Sequence, residues 1–295
     1  MNLINSNIFN NIRESYFIKN KKIVSTSYRK KICFLKIKKI FKPINIGKFQ
    51  IKIADTQKEI KKAQSLRYSI FYSEKKAKPN FSQKILRRDF DIHDKISDHL
   101  IIIDKNKTNN EIVGTYRLLR GRSAKLYNGF YSEKEFDLSN IKKYFSNKSI
   151  LELGRSCVHS EYRSGLILKL LWQGIAQYIN IYKIKVLIGC ASFEGINIYK
   201  ITNELDFLNK RYSIPNQLFI KSVQSNLDLS NKIEYNYCEK NIFNNLPPLI
   251  KGYLRAGGMV SNEYFIDYQF NTIDICILLL TENIENKYKK NFYIK

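Results

Sequence analysis

The apolar positions change their period along this chain, and the change is clearest in the middle. In Ile150-Leu151-Glu152-Leu153-Gly154-Arg155-Ser156-Cys157-Val158, branched and apolar residues are interrupted by Glu152 and Arg155, a pattern that predicts a strand. His159 to Gly165 is a turn rich in Ser, Arg and Gly. Beyond it, Ile167, Leu170, Leu171, Ile175, Tyr178 and Ile179 fall on one face at helical spacing, predicting an amphipathic helix to about Ile179. Val186 to Ser192 is a short apolar run bounded by turn signals and predicts a buried parallel strand. Strand, loop, helix and strand make a crossover unit, so the pattern points to an α/β fold.

On the N-terminal side, Phe49, Ile51 and Ile53 alternate and predict a first strand over residues 46–54. Asp55 or Thr56 caps a helix to about Phe71, with Ile60, Ala63, Leu66 and Ile70 on one face. Residues 73–88 are polar and basic and read as a mobile loop. His99–Asp104 and Ile112–Leu119 read as a hairpin. On the C-terminal side the pattern predicts a helix from Gly195 to about Leu208 and a short helix after Pro247-Pro248, ended by Gly257-Gly258. Late strands follow over Phe265–Phe270 and Ile273–Ile277, and residues 209–245 give no clear period. Pro43 marks a boundary, with a basic extension over residues 1–45 and a single domain over residues 46–295.

At 295 residues and 44% hydrophobic content the chain can bury a real core. Its longest apolar run, Ile273 to Leu280, is broken by Asp274 and is too short to span a bilayer. No signal-peptide pattern opens the sequence, so a cytoplasmic location is expected. The five cysteines are scattered and odd in number, which argues against a disulfide framework or a zinc site, and no metal is expected. A net charge of +25 favours an acidic partner: nucleic acid, an anionic membrane surface or an acidic carrier protein. No zinc finger, RNA-recognition signature or arginine-rich arm is present, so nucleic acid is set aside. Within residues 1–42, lysines flank the helical face of Ile37, Ile40 and Phe41; a membrane-surface segment and a basic tail both fit.

Candidate chemistry collects around the crossover. Glu152 and Arg155 end a buried strand where a helix N-terminus begins, and buried charges must be paired or used. The plainer account is a structural ion pair between them. The loop from Glu161 to Gly165 offers backbone N–H groups, with Arg163, Ser164 and Gly165, as an anion site suited to a phosphate. Asp89, Asp91, Asp94 and Asp98 crowd ten residues and must bind a cation or stay solvated, yet the Gly and terminal Glu of a calcium loop are missing. Arg117 is a candidate for a substrate carboxylate, or snorkels from the sheet edge. Cys157 and His159, two apart on a strand, leave a covalent route open.

Several stretches carry a resemblance: Glu-Leu-Gly-Arg-Ser-Cys-Val at 152–158, Leu-Leu-Trp-Gln-Gly-Ile at 170–175, Ile-Gly-Cys-Ala-Ser-Phe-Glu-Gly at 188–195 and Leu-Pro-Pro-Leu-Ile-Lys-Gly-Tyr-Leu-Arg at 246–255. They resemble the L-ornithine N(alpha)-acyltransferases, and more distantly the acyl-homoserine lactone synthases, from about Phe49 to Leu280. The resemblance implies a GNAT-like acyltransferase fold, a central mixed twisted sheet flanked by helices. It implies transfer of a 3-hydroxyacyl chain from acyl carrier protein to the alpha-amine of L-ornithine, giving lyso-ornithine lipid at the inner face of the bacterial inner membrane. No bound cofactor is implied, because the acyl donor rides on the phosphopantetheine of the carrier protein. Glu152 and Arg155 match catalytic positions; Arg67, Phe71, Asp91, Asp94 and Arg117 match the substrate site; Gly154, Arg163, Ser164 and Gly165 match the phosphopantetheine site. A substrate with two amino groups would suit the aspartates. His93 stands where the family has Phe, and residues 129–138 match the family with structural roles expected. The lysines and arginines of residues 75–88 are candidates to meet the carrier. The alternatives are a lactone-synthase-like or other amino-acid N-acyltransferase, or a non-catalytic carrier- or lipid-binding protein.

Overall fold

The computed structural model describes residues 40–108, 110–127, 129–224 and 237–284. The membrane-surface reading of the N-terminal segment therefore lies outside the described residues, apart from the last of them. Two compact units divide the chain, Met1–Lys42 and Pro43–Lys295, and every element below belongs to the second.

β1 (Ile44–Ile46) and β2 (Phe49–Ile53) form a hairpin around Gly47, whose φ of +54° suits a residue without Cβ. The single strand expected over residues 46–54 is thus two, because Gly47 turns the chain. Helix Gln57–Tyr68 follows, capped by the Thr56 side chain, which accepts from Glu59 N–H. It runs on into a π-helical turn, Ser69–Glu74. The segment expected to be a mobile loop instead holds a short helix, Phe81–Leu86, started by a reciprocal cap between Asn80 and Gln83.

β3 (Asp98–Asp104) and β4 (Glu111–Arg120) form the expected hairpin. A two-residue strand β5 (Phe136–Asp137) precedes the central unit, β6 (Ile150–Val158), helix Leu166–Tyr182 and β7 (Val186–Glu194). The helix buries the face read from the sequence, including Ile167, Leu170, Leu171, Ile175 and Tyr178. The helix expected from Gly195 begins later, at Thr202, and ends at Tyr212; a 3-10 turn, Ile198–Lys200, occupies the start. β8 (Lys221–Ser222) pairs with β5. Helix Pro248–Arg255 starts on its proline and leads to β9 (Met259–Asp267) and β10 (Thr272–Leu280). Residues 268–271, expected to continue a strand, form the turn between them.

Among the described residues, eight strands make one mixed sheet in the order β1-β2-β3-β4-β6-β7-β10-β9. All neighbours are antiparallel except β6 and β7. On one face, Gly114 leaves space for the long helix: a Cβ there would fall 2.5 Å from Ile167 Cγ2. The other face carries helix Gln57–Tyr68 at one end and an apolar cluster at the other, with Leu119, Phe130, Phe136, Ile150, Val186 and Leu278 buried together.

Candidate active site

β6 and β7 part company early. They pair only from Ile150↔Val186 to Glu152↔Ile188, although both strands run six residues further. β6 keeps its bonds to β4 out to Val158↔Gly114, and β7 keeps its bonds to β10 out to Glu194↔Thr272. Each strand holds its outer neighbour and releases its inner one, so a wedge opens in the middle of the sheet. The last close approach is at Gly189, where a Cβ would stand 2.3 Å from the Leu153 carbonyl oxygen. Beyond it the two inner edges are free to bond something else.

A bulge sits on the β6 wall of that wedge. Thr115 pairs with Cys157 and Arg117 with Gly154, so Arg155 and Ser156 together oppose Tyr116. Arg155 takes a φ of +52°, a left-handed conformation that costs a non-glycine residue about 1 kcal/mol. The bulge turns its side chain into a layer of charge on the sheet face. There Arg155 Nε lies 3.2 Å from Asp89 Oδ2, and Nη2 donates to Asp91 Oδ2 at 3.3 Å. Its guanidinium stands 4.3 Å from the Tyr131 ring centre and 4.7 Å from that of Phe270.

Two more arginines complete the layer. Arg67, with no solvent exposure, donates Nε to Asp89 Oδ2 at 2.7 Å and Nη2 to Asp94 Oδ1 at 2.8 Å. Arg117 Nη1 donates to both Asp91 oxygens at 2.8 Å and to Asp94 Oδ2 at 3.3 Å. Burial would raise the Asp91 and Asp94 carboxyls, but Arg117 and Arg67 hold both below the usual carboxylate range. His99, buried beside Asp94, is pushed down to about 4 by desolvation, so it is neutral. The π-helical turn belongs to this site: Tyr72 Oη donates to Asp89 Oδ1 at 3.0 Å, and Phe71 meets Phe270 edge-on at 5.8 Å.

Several expectations change here. Glu152 and Arg155 do not pair. Glu152 Oε2 accepts from Tyr131 N–H at 2.9 Å, and Oε1 accepts from Ser132 N–H and Oγ at 2.7 and 2.6 Å. This carboxylate therefore anchors the turn that holds Tyr131 over Arg155. The aspartates expected to await a cation are already met by Arg67, Arg117 and Arg155, while Asp98 faces away, bound to Tyr178. Arg117 lies at the site rather than at a sheet edge, and Gly154 lies beneath it, with a Cβ falling 3.9 Å from its Nε. Residues 129–138 supply functional groups that sequence reasoning passed over: Tyr131, stacked on two arginines, and Glu135. Their signal was present as a match without chemistry in it.

The loop expected to hold a phosphate is formed but partly engaged. Gly165, at φ +91°, ends the loop and opens the long helix, which has no side-chain cap and so keeps its first N–H groups available. A Cβ at Gly165 would meet open space. Arg163, however, is gripped by Glu74, its Nη1 and Nη2 donating at 2.5 and 2.7 Å. Cys157 is buried and its thiol is pushed up to about 12 by desolvation, which removes the thiolate that a covalent route needs.

A mixed sheet split between two strands, with a bulged strand on one wall and a helix N-terminus at its mouth, is an N-acyltransferase architecture of the GNAT class. A profile of the acetyltransferase (GNAT) domain matches residues 66–173. The chain belongs to the L-ornithine N(alpha)-acyltransferase family and is an acyltransferase. It is 36% identical over 249 residues to the L-ornithine N(alpha)-acyltransferase of Agrobacterium fabrum (strain C58), covering 82% of this chain and 84% of that one. The Brucella abortus (strain 2308) relative of the same name is also 36% identical, with 82% and 88% covered. Among solved structures, an N-acyl amino acid synthase from uncultured soil microbes superposes with a TM-score of 0.47 at 9% identity, covering 83% of this chain and 96% of that one. Among the described residues, no helix is long and apolar enough to cross a membrane.

Proposed function

We propose that this enzyme moves a 3-hydroxyacyl chain from the phosphopantetheine of acyl carrier protein to the alpha-amine of L-ornithine, giving lyso-ornithine lipid. The acceptor is the one in the relatives' names. The observation that carries the mechanism is the wedge between β6 and β7 beside the Arg155 cluster. An extended pantetheine arm fits between two strand edges whose backbone groups lack partners in each other. Its phosphate suits the helix N-terminus at Gly165, with Ser164 in the loop and Arg163 released from Glu74.

The acceptor's carboxylate suits Arg155, whose side chain is 12% exposed while those of Arg67 and Arg117 are sealed. Glu152 acts in this reading by positioning Tyr131, and Gly154 leaves room beside the reacting groups. Attack of the amine on the thioester carbon forms the amide and expels the thiolate, with the amine proton passing to water or a carboxylate. Much of the rate follows from holding the two reactants in register. Docking of an acidic carrier is supported by Lys58, Lys61 and Lys62, which line an open cleft of about 820 Å³ together with His159, the residue that begins the phosphate loop. The acylated product is a lipid, so release at an anionic membrane surface is consistent with the net charge of +25.

The test is an acyl-transfer assay with purified protein, 3-hydroxyacyl carrier protein and a panel of amino acids, with products weighed by mass spectrometry. Ornithine-dependent lyso-lipid is the expected product. Preferential product with another amino acid would overturn the acceptor, and preferential use of acyl-coenzyme A would overturn the donor.

A further inference from the structure

We propose that Glu135, Asp274 and Thr272 form a subsite for an aliphatic primary ammonium, the side-chain amine of the acceptor. The inference rests on the acyl transfer to ornithine proposed above and names the part of the site that would select a diamino acid.

Asp89, Asp91 and Asp94 face Arg67, Arg117 and Arg155, so that layer is balanced. A second acidic group lies in the same region of the sheet. One oxygen from each of Glu135, Asp267 and Asp274 stands within 4.8 Å of the others. The three residues are 3%, 8% and 5% exposed, and none has an ion pair among the described residues. Asp267 Oδ1 is used by the β9–β10 turn, accepting from Gln269 and Phe270 N–H at 2.7 and 2.9 Å. By contrast, Glu135 Oε2, Asp274 Oδ1 and Thr272 Oγ1 are buried and, among the described residues, meet no donor in good hydrogen-bond geometry; the polar groups that reach Asp274 are Ser192 and the group's own Thr272 and Glu135. Three oxygens turned toward one another, with no cation between them, match the three N–H donors of an ammonium.

The group borders the wedge. Asp274 is the cross-strand partner of Ser192, and Glu135 lies against Cys190. Ser192 is exposed and Cys190 half-buried, so the group lies one side chain beneath the surface of the β7 wall. Arg155, on the opposite wall, is close enough for its charge to act on Glu135. A zwitterionic acceptor with its carboxylate at Arg155 and its side-chain ammonium at Glu135 and Asp274 would place its alpha-amine between the walls. Burial and the neighbouring carboxylates push Glu135 well above the usual carboxylate range and Asp274 up to about 6, so without a ligand the group retains a proton. A monovalent ammonium can exchange for that proton. A divalent metal would need about six oxygens and fully ionised carboxylates.

The experiment compares ornithine with norvaline, which has the same carbon skeleton and no side-chain amine, in wild type and in Glu135→Gln, Asp274→Asn and Thr272→Val. Wild type is expected to prefer ornithine. The ornithine-to-norvaline ratio of kcat/KM is expected to fall about tenfold or more in the two carboxylate variants, mostly through KM for ornithine, as for loss of a charged hydrogen bond. Thr272→Val, which leaves the carboxylates in place, should move the ratio the same way by a smaller factor. Equal loss toward both acceptors, or an unchanged ratio, would overturn the subsite. So would ornithine transfer that a chelator abolishes and Mg²⁺ or Ca²⁺ restores, since the group would then hold a metal. Wild type that acylates neither compound would instead overturn the acyl-transfer reading, before any variant is compared.

Discussion

Two acidic groups lie on one face of the same sheet, and they are built on opposite principles. Asp91 and Asp94 are held below the ordinary carboxylate range, and Asp89 is bound to Arg67 and Arg155. Glu135 and Asp274 are raised above it, with no cation between their oxygens among the described residues. The first group is a scaffold: its charges are spent on one another, and it fixes Arg155 and Tyr131 in place. The second is poised, because a buried carboxylate without a cation either keeps a proton or takes up a ligand. A count of acidic residues would rank the aspartate-rich segment as the better cation site. The partners reverse that ranking.

The contrast can be broken by experiment, and the largest effect belongs to the scaffold. Arg67→Leu should leave the Asp89 and Asp94 carboxylates buried without their main partner. A loss of about 3 to 5 kcal/mol is expected, and thermal unfolding should drop by roughly 10 °C. A small shift in Tm would show that the aspartates find water or another cation, and would blur the distinction. Next come two pH dependences of opposite sign. Asp274 has its carboxyl raised from 3.8 to about 6, so the folded state binds the extra proton and stability falls as pH rises from about 4 to about 6. The charges around it are Glu135 and Asp267, with Ser192 and Thr272 as polar neighbours, while Arg155 and Cys190 act on Glu135 beside it. Asp274→Asn should remove a decline of about 3 kcal/mol, making the variant the more stable protein at neutral pH relative to its stability at pH 4. His99 is lowered from 6.5 to about 4 by desolvation, offset by Asp94 and reinforced by Arg67 and Arg117. The unfolded state binds that proton, so stability falls as pH drops from 6.5 to 4. His99→Gln should remove a decline of about 3 kcal/mol in that window. Denaturant titrations across pH 4 to 8 read both slopes; equal slopes in wild type and variant would refute the assignment. The smallest effect is at the seam between the two groups. Phe270→Leu removes a ring from Arg155 and should cost about 1 kcal/mol in stability, with a rise in KM for the acceptor carboxylate. A change in kcat alone would place Phe270 elsewhere in the cycle.

Much of the architecture is local, and the sequence determined it. The periods around Ile150–Val158, the 166–182 helix and Val186–Ser192 mark the crossover, because burying one face of a helix and both faces of a strand imposes those spacings. The Thr56 cap, the Pro248 helix start and the glycines at 165 and 257 are equally local. What only the tertiary structure decided is who meets whom. Glu152 and Arg155 are three residues apart, yet the bulge at Arg155 and Ser156 sends their side chains to different partners. Tyr131 and Phe270 come from turns 139 residues apart in number and flank one guanidinium. Glu135 sits in a stretch that matches the family without showing its chemistry, and Asp274 is a single acid in an apolar strand, so nothing joins the two until β5, β9 and β10 are folded together. Periodicity records which side of an element is buried; it carries no record of which distant charge arrives there. That is why the sheet could be read from the sequence, while the balance of charge in the site had to be read from the fold.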